Sequence, residues 1–180
     1  AANKAGEVYL LTPSGHDLTI LSRFKIPGAV TRTPVYVDGV LYCTTKEGGI
    51  YAVDTGLMEN GDLQSLKPKI LWQRKMKKGI LTEPIATGKI LITATLGGLY
   101  AFEAYHQDKD NVHIGKPLWG KAIDGGVVSS PRIQGGTIYI GSESDHLFAF
   151  EYGGSSVNQA WSYETSGGVR VKPFVSEESE

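Results

Sequence analysis

Gly49-Ile50-Tyr51-Ala52-Val53-Asp54, Gly98-Leu99-Tyr100-Ala101-Phe102-Glu103 and His146-Leu147-Phe148-Ala149-Phe150-Glu151 are one phrase written three times. Each copy is followed by a tryptophan, Trp72, Trp119 or Trp161, and each tryptophan lies 12 residues before a proline, Pro84, Pro131 or Pro173. A recurrence in the forties of residues marks an array of one supersecondary unit. From Pro34 to Tyr51 is 17 positions, from Pro84 to Tyr100 is 16, and from Pro131 to Phe148 is 17. From there to the tryptophan the interval is 21, 19 and 13. One connection therefore absorbs insertions while the rest keeps its length, as short turns between packed strands require and surface loops do not.

The constant parts read as strands. Pro34-Val35-Tyr36-Val37 and Val40-Leu41-Tyr42-Cys43-Thr44-Thr45 flank Asp38-Gly39, a pair suited to a turn whose two central residues need positive φ. Thr87-Gly88-Lys89 and Gln134-Gly135-Gly136 hold the same place in the later repeats. A second tight turn, Glu47-Gly48-Gly49, Leu96-Gly97-Gly98 or Ser144-Asp145-His146, leads into the aromatic-Ala strand. A fourth strand carries the tryptophan, and the proline opens the next unit where its missing N–H costs no ladder bond. Four short antiparallel strands at this period predict an all-β protein, a β-propeller built of four-stranded antiparallel blades. Tyr51 and Val53 point to one face of the strand and Ile50 and Ala52 to the other, as a blade covered on both sides needs. The small Ala makes room for a neighbouring blade, and the tryptophan fills the gap further out.

The expected organisation is a single propeller segment over 1–180. Residues 7–26 form the last two strands of a partial blade; 30–76, 80–122 and 127–164 are blades; 168–175 is the first strand of a further blade, and 176–180 is an acidic tail. Where the spacing demands tryptophan, the partial blade has Ser22. The tally is about three complete blades plus partial ones at both ends. Propellers hold about four to eight blades, so this count predicts a segment of a longer propeller. An open arc leaves an apolar blade face at each end, which predicts instability or association of the isolated chain.

Pro34, Asp38-Gly39, Tyr42, Gly49, Tyr51-Ala52-Val53-Asp54, Thr55-Gly56 and Trp72 resemble the quinoprotein-type repeat of the BamB-like and pyrroloquinoline-quinone (PQQ) dehydrogenase propeller family. Repeat two keeps Gly115-Lys116 before Trp119 but has Glu103 for the Asp; repeat three keeps Gly153-Gly154 and Trp161. Competing propeller repeats fit less well. No Gly-His and Trp-Asp pair brackets the unit as in WD40, and Tyr and Trp do not follow the paired glycines as in kelch. The resemblance implies a bacterial protein of the periplasm or cell exterior. Its motif residues, Pro34, Tyr51, Trp72, Pro84, Tyr100, Trp119, Pro131, Phe148, Trp161 and Pro173, pack blades and do not react.

Composition narrows the partners. With 18 basic and 19 acidic residues, nothing global favours nucleic acid. No apolar run approaches the roughly 20 residues that a membrane-spanning helix needs. One cysteine, Cys43, excludes an internal disulfide and reads as a small buried hydrophobe. Glu103, His106, Asp108, Asp110 and His113 after the second phrase have ligand-type spacing, but a solvated insertion is a poor frame for a metal. Lys67, Lys69, Arg74, Lys75, Lys77 and Lys78 read as the solvated face of an outer strand before they read as an anion site. The segments opening each blade would line one rim of the central channel, where the quinoprotein enzymes carry their cofactor. Asp124 and Arg170 are the charged rim candidates. The enzymes' paired cysteines and Glu–Asn–Asp set have no counterpart here, so no catalytic, cofactor or metal residue is assigned. The first expectation is thus a non-catalytic scaffold that binds a protein partner or missing propeller blades. A piece of a PQQ-dependent dehydrogenase, with quinone and calcium held elsewhere, is the second. A subunit whose open arc a partner chain completes is the third.

Overall fold

The computed structural model describes residues 1–14, 16–56, 67–107, 112, 113 and 115–176. Among the described residues, sixteen strands succeed one another in chain order. β1 (Glu7–Ser14) and β2 (Asp17–Lys25) make a two-stranded half-blade. Blade one holds β3 (Val35–Val37), β4 (Val40–Thr44), β5 (Gly49–Asp54) and β6 (Lys69–Lys75). Blade two holds β7 (Ile85–Thr87), β8 (Ile90–Thr95), β9 (Gly98–Glu103) and β12 (Pro117–Ala122). A small hairpin, β10 (His106–Gln107) with β11 (Val112–His113), projects between its third and fourth strands. Blade three holds β13 (Arg132–Gln134), β14 (Thr137–Gly141), β15 (His146–Tyr152) and β16 (Val157–Glu164). Every pairing is antiparallel between consecutive strands of the blade. The Asp38-Gly39 turn has φ of 50° and 80°, both left-handed as the two-residue hairpin demands.

Alternation along the strands sorts side chains into three layers, one per blade junction. Val8, Ile26, Val30, Leu41, Cys43, Tyr51 and Val53 fill the space between half-blade and blade one. Val40, Tyr42, Ile50, Ala52 and Trp72 meet Ile80, Leu91, Phe102 and Ala104 of blade two. Ile92, Ala94, Leu99 and Ala101 meet Ile138, Ile140 and Phe150 of blade three. Burial without a partner pushes the Cys43 thiol up to about 12. Cys43 is therefore expected to resist a thiol reagent such as DTNB at pH 8 in the folded chain and to react fully in denaturant; rapid labelling of the native protein would contradict its place in the core.

A fourfold irregularity escapes the sequence pattern. In each unit the ladder to the last strand slips by one residue directly before the tryptophan position. Leu21, Leu71, Leu118 and Ala160 are the extra residues, opposite the Leu10/Leu11, Ala52/Val53, Ala101/Phe102 and Ala149/Phe150 steps. Such a bulge bends the outer strand and re-aims the next side chain. It aligns Trp72 with Ala52 and Tyr42, Trp119 with Ala101 and Ile92, and Trp161 with Ala149 and Tyr139.

The ends differ from expectation. Ala2 bridges to Val8, so the half-blade also carries the tail of a second-strand equivalent. Residues 168–175, expected to begin a further blade, carry no strand. Phe174–Ser176 occupies the counterpart of β3, and none of the described strands lies alongside to complete a ladder. Of the expected acidic tail, residues 177–180 lie outside the described residues.

Candidate functional site

One rim of the arc is made of two recurring pieces: the turn between second and third strands, and the segment that opens the next blade. The turn begins with a short polar residue, Asn3, Thr45, Thr95 or Ser142. Its side-chain oxygen accepts a backbone N–H inside the turn: from Ala5 and Glu7 at 2.9 and 3.0 Å, Gly49 at 2.9 Å, Gly97 at 2.9 Å and Ser144 at 3.3 Å. Such side chains lock a turn by imitating a backbone acceptor.

The opening segments clasp these turns from both sides. Behind, Ile26, Met76, Ile123 and Thr165 donate their N–H to the carbonyls of Gly6, Gly48, Gly97 and Asp145. Val30, Val127 and Val169 donate to Asn3, Thr95 and Ser142 of the preceding blade at 3.3, 3.1 and 2.9 Å. Ahead, the carbonyls of Ala29, Gly79 and Gly126 accept from Lys46, Leu96 and Glu143 of the blade being entered, at 2.9, 3.0 and 3.3 Å. Two buried hydroxyls tighten the step into the first strand. Thr82 Oγ1 donates to the Ala94 carbonyl at 2.8 Å. Ser129 Oγ donates to the Gly141 carbonyl at 3.1 Å and accepts its N–H at 2.7 Å. Ser129→Ala is expected to cost about 1–3 kcal/mol, because both Gly141 groups would stay buried without that partner; a shift of the urea midpoint at unchanged m-value is the readout.

Charged side chains stand on this framework. Glu47 accepts the Ala29 N–H at 2.9 Å, which with the field of Lys75 holds its carboxyl below the usual range. Arg170 grips Glu143 through two bonds of 2.9 Å, lowering the Glu143 carboxyl and raising the guanidinium. Asp124 is exposed at the mouth of a cavity of about 400 Å³ between blades two and three, with Lys121, Ser144, His146, Phe148 and Gln159. His146 Nδ1 lies 2.6 Å from the Ser144 carbonyl, so it carries the proton there, and its ring stacks on Phe148 at 5.5 Å. Asp124 and Arg170 thus sit on one rim but in separate environments.

Trp72 is 5% exposed, with Tyr42 tilted against it at 6.1 Å; Tyr51 is buried and donates its hydroxyl to the Pro27 carbonyl. Pro84 and Pro131 are buried, Pro34 and Pro173 half-buried, and Tyr100, Trp119 and Phe148 pack at the junctions while half-buried. Trp161 is 44% exposed. Arg74 of the basic run donates to the Gly115 carbonyl at 3.1 Å, tying blade one to blade two. Among the suggested metal ligands, Asp108 and Asp110 lie outside the described residues. The rim residues that the sequence did not single out are Asn3, Thr45, Thr95 and Ser142, with Thr82 and Ser129 placed in the rim-lining segments but given no role. Their signal was there: a short polar side chain opening the turn in every unit, and a hydroxyl two places before Pro84 and Pro131.

Calcium or a quinone would require several oxygens converging on one point. Among the described residues, no group of three or more His, Cys, Asp or Glu side chains is placed to hold a metal, and Glu143 is engaged by Arg170. The rim residues do not fit that group.

Blades of this construction define a PQQ-type β-propeller. The chain belongs to the family described as outer membrane protein assembly factor BamB, whose model matches residues 59–178. Its fold is similar to the crystal structure of BamB from Moraxella catarrhalis, with a TM-score of 0.64 at 17% identity, covering 91% of this chain and 44% of that one. It is also similar to a europium-containing methanol dehydrogenase, with a TM-score of 0.57 at 16% identity, covering 74% of this chain and 24% of that one. The chain thus spans less than half the length of either. A search of curated proteins finds no match. No helix among the described residues is long and apolar enough to cross a membrane.

Proposed function

We propose that the chain is a non-catalytic propeller scaffold of the bacterial envelope, part of a longer PQQ-like repeat protein, whose blade-opening rim docks a protein partner. The carrying observation is the rim itself: a continuous hydrogen-bonded frame that presents Lys46, Lys78, Asp124 and the Glu143–Arg170 pair at fixed positions. Charges held on a rigid frame give orientation and specificity to association more than raw affinity. The envelope assignment rests on the family's description as an outer membrane assembly factor.

The test is a photo-crosslinker placed at Asp124 in the native envelope. A discrete adduct that Arg170→Glu abolishes, and that Asn158→Lys on an outer strand leaves intact, is the expected result. Adducts indifferent to Arg170→Glu would refute a rim site. The dehydrogenase reading has only the likeness in fold to methanol dehydrogenase behind it. Dye-linked alcohol oxidation on adding quinone and calcium would reverse the preference.

A further inference from the structure

Blade three departs from its neighbours on the wall that it turns to blade two. In blade one the Tyr51 ring folds back over the turn glycine, and a Cβ on Gly49 would lie 2.7 Å from it. The Tyr51 hydroxyl then donates to the Pro27 carbonyl at 2.9 Å and seals the junction with the half-blade. In blade two the Tyr100 ring lies over Gly120, where a Cβ would come within 2.8 Å. Blade three has a side chain at both positions, His146 in the place of Gly49 and Ser162 in the place of Gly120. The aromatic residue there is Phe148, which stacks on His146 and has no hydroxyl to reach across.

The cavity of about 400 Å³ between blades two and three opens where that seal is missing. Asp124 lines it and is the counterpart of Pro27: each follows the isoleucine, Ile123 or Ile26, whose N–H clasps the turn of the preceding unit. Among the described residues no hydroxyl caps the Asp124 carbonyl as Tyr51 caps that of Pro27. Both walls lie within this chain. Phe148 and Ser162 pair across the sheet and face blade two, whereas Ala149 and Trp161 point to the other side. Blades beyond blade three would therefore leave the cavity as it is.

The lining selects the ligand. Lys121 and Asp124 bring one charge of each sign, so an ion of either sign meets a like charge at the site. Phe148 and the fully buried Phe150 supply an apolar wall. Gln159 and Ser162 give and accept hydrogen bonds, and His146 Nε2 accepts, since Nδ1 carries the proton. A neutral ring with an apolar face and an edge of hydroxyls answers all of these at once. Its face covers Phe148, and each hydroxyl serves as donor or acceptor as the wall requires. The volume lies in the range of small-molecule pockets. We infer that this cavity is a saccharide site that takes a neutral mono- or disaccharide. It requires no protein partner and is independent of the rim reading.

Saturation-transfer NMR on the natural full-length protein that carries this segment reads binding directly, with glucose, N-acetylglucosamine and cellobiose as probes. At least one of the three is expected to saturate with a Kd of about 1 mM or tighter. Glucuronate and glucosamine, which put one charge on the same ring, are expected to gain nothing over glucose. The double variant His146→Gly, Phe148→Tyr rebuilds the sealed junction of blade one. It is expected to keep the circular dichroism of the parent and to weaken sugar binding about 10-fold or more, as loss of an anchoring contact does. Phe148→Leu keeps an apolar side chain without the ring; it should weaken binding by a similar factor, and it decides should the rebuilt junction fail to fold. Silence from all three neutral sugars at about 10 mM, tenfold above the expected Kd, would overturn the inference. So would binding that both variants leave unchanged, or a charged ring that binds about 10-fold tighter than glucose.

Discussion

Trp72→Ala is expected to destabilise the chain by about 3–5 kcal/mol, the range for truncating a large buried aromatic. The indole is 5% exposed and sits in the blade-one to blade-two layer with Val40, Tyr42, Ala52, Leu91 and Phe102. Tyr42 loses its ring partner, and its own setting magnifies the damage. Burial, reinforced by Asp38, pushes the Tyr42 phenol up to about 12, and its oxygen accepts the Tyr105 N–H of blade two at 2.8 Å. The matched substitution Trp161→Ala, measured at high dilution so that association does not contribute, is expected to cost about 1 kcal/mol or less, as at an exposed position. Urea unfolding of the two variants gives the contrast directly. Equal losses would mean that neighbouring blades do not supply the tryptophan's stabilisation.

Gly115→Leu is the second large effect. Gly115 has φ of +63°, and its missing side chain leaves room for the six-membered ring of Trp72. A left-handed conformation costs an L-residue about 1–2 kcal/mol, and forcing atoms into a filled contact costs about 1–3 kcal/mol more. The two parts separate in a double-mutant cycle. In the Trp72→Ala background the crowding disappears and only the backbone strain remains, so the coupling between the two positions should reach about 1–3 kcal/mol. Additive losses would show that Gly115 is kept for its backbone alone.

What the sequence made legible follows from how strictly each feature constrains residue type. The four strands of each blade, their order and the Asp38-Gly39 turn could be read because an alternating face and a positive-φ pair each leave few residues to choose from. The tryptophan's place at the blade junction could be read from its fixed distance to the next proline. The bulge before each tryptophan could not, since Leu21, Leu71, Leu118 and Ala160 have nothing in common that demands it. The rim clasp was hidden for a related reason: most of its bonds join backbone groups, which carry no residue signature. Only Asn3, Thr45, Thr95 and Ser142 betray it, and repeat two shortens the turn by one residue, which obscures the alignment. The segment 168–175 forms no ladder with any described strand, and a strand is a property of a pair. Arg170 could be flagged as a rim charge, but not its Glu143 partner 27 residues earlier.

Because each opening segment bonds to the blade behind and the blade ahead, the unit that holds together is out of phase with the sheet that the eye picks out. A cut made between two sheets leaves the opening segment with one blade and severs its clasp to the other. A joint made within the connection from third to fourth strand, across which the interval from aromatic residue to tryptophan drifts from 21 to 13 residues, severs the clasp between the turn before it and the opening segment after it. Every crossover between one turn and the next therefore breaks one clasp, and recombination between propellers of this type should succeed where the two parents share the geometry of that turn and that segment.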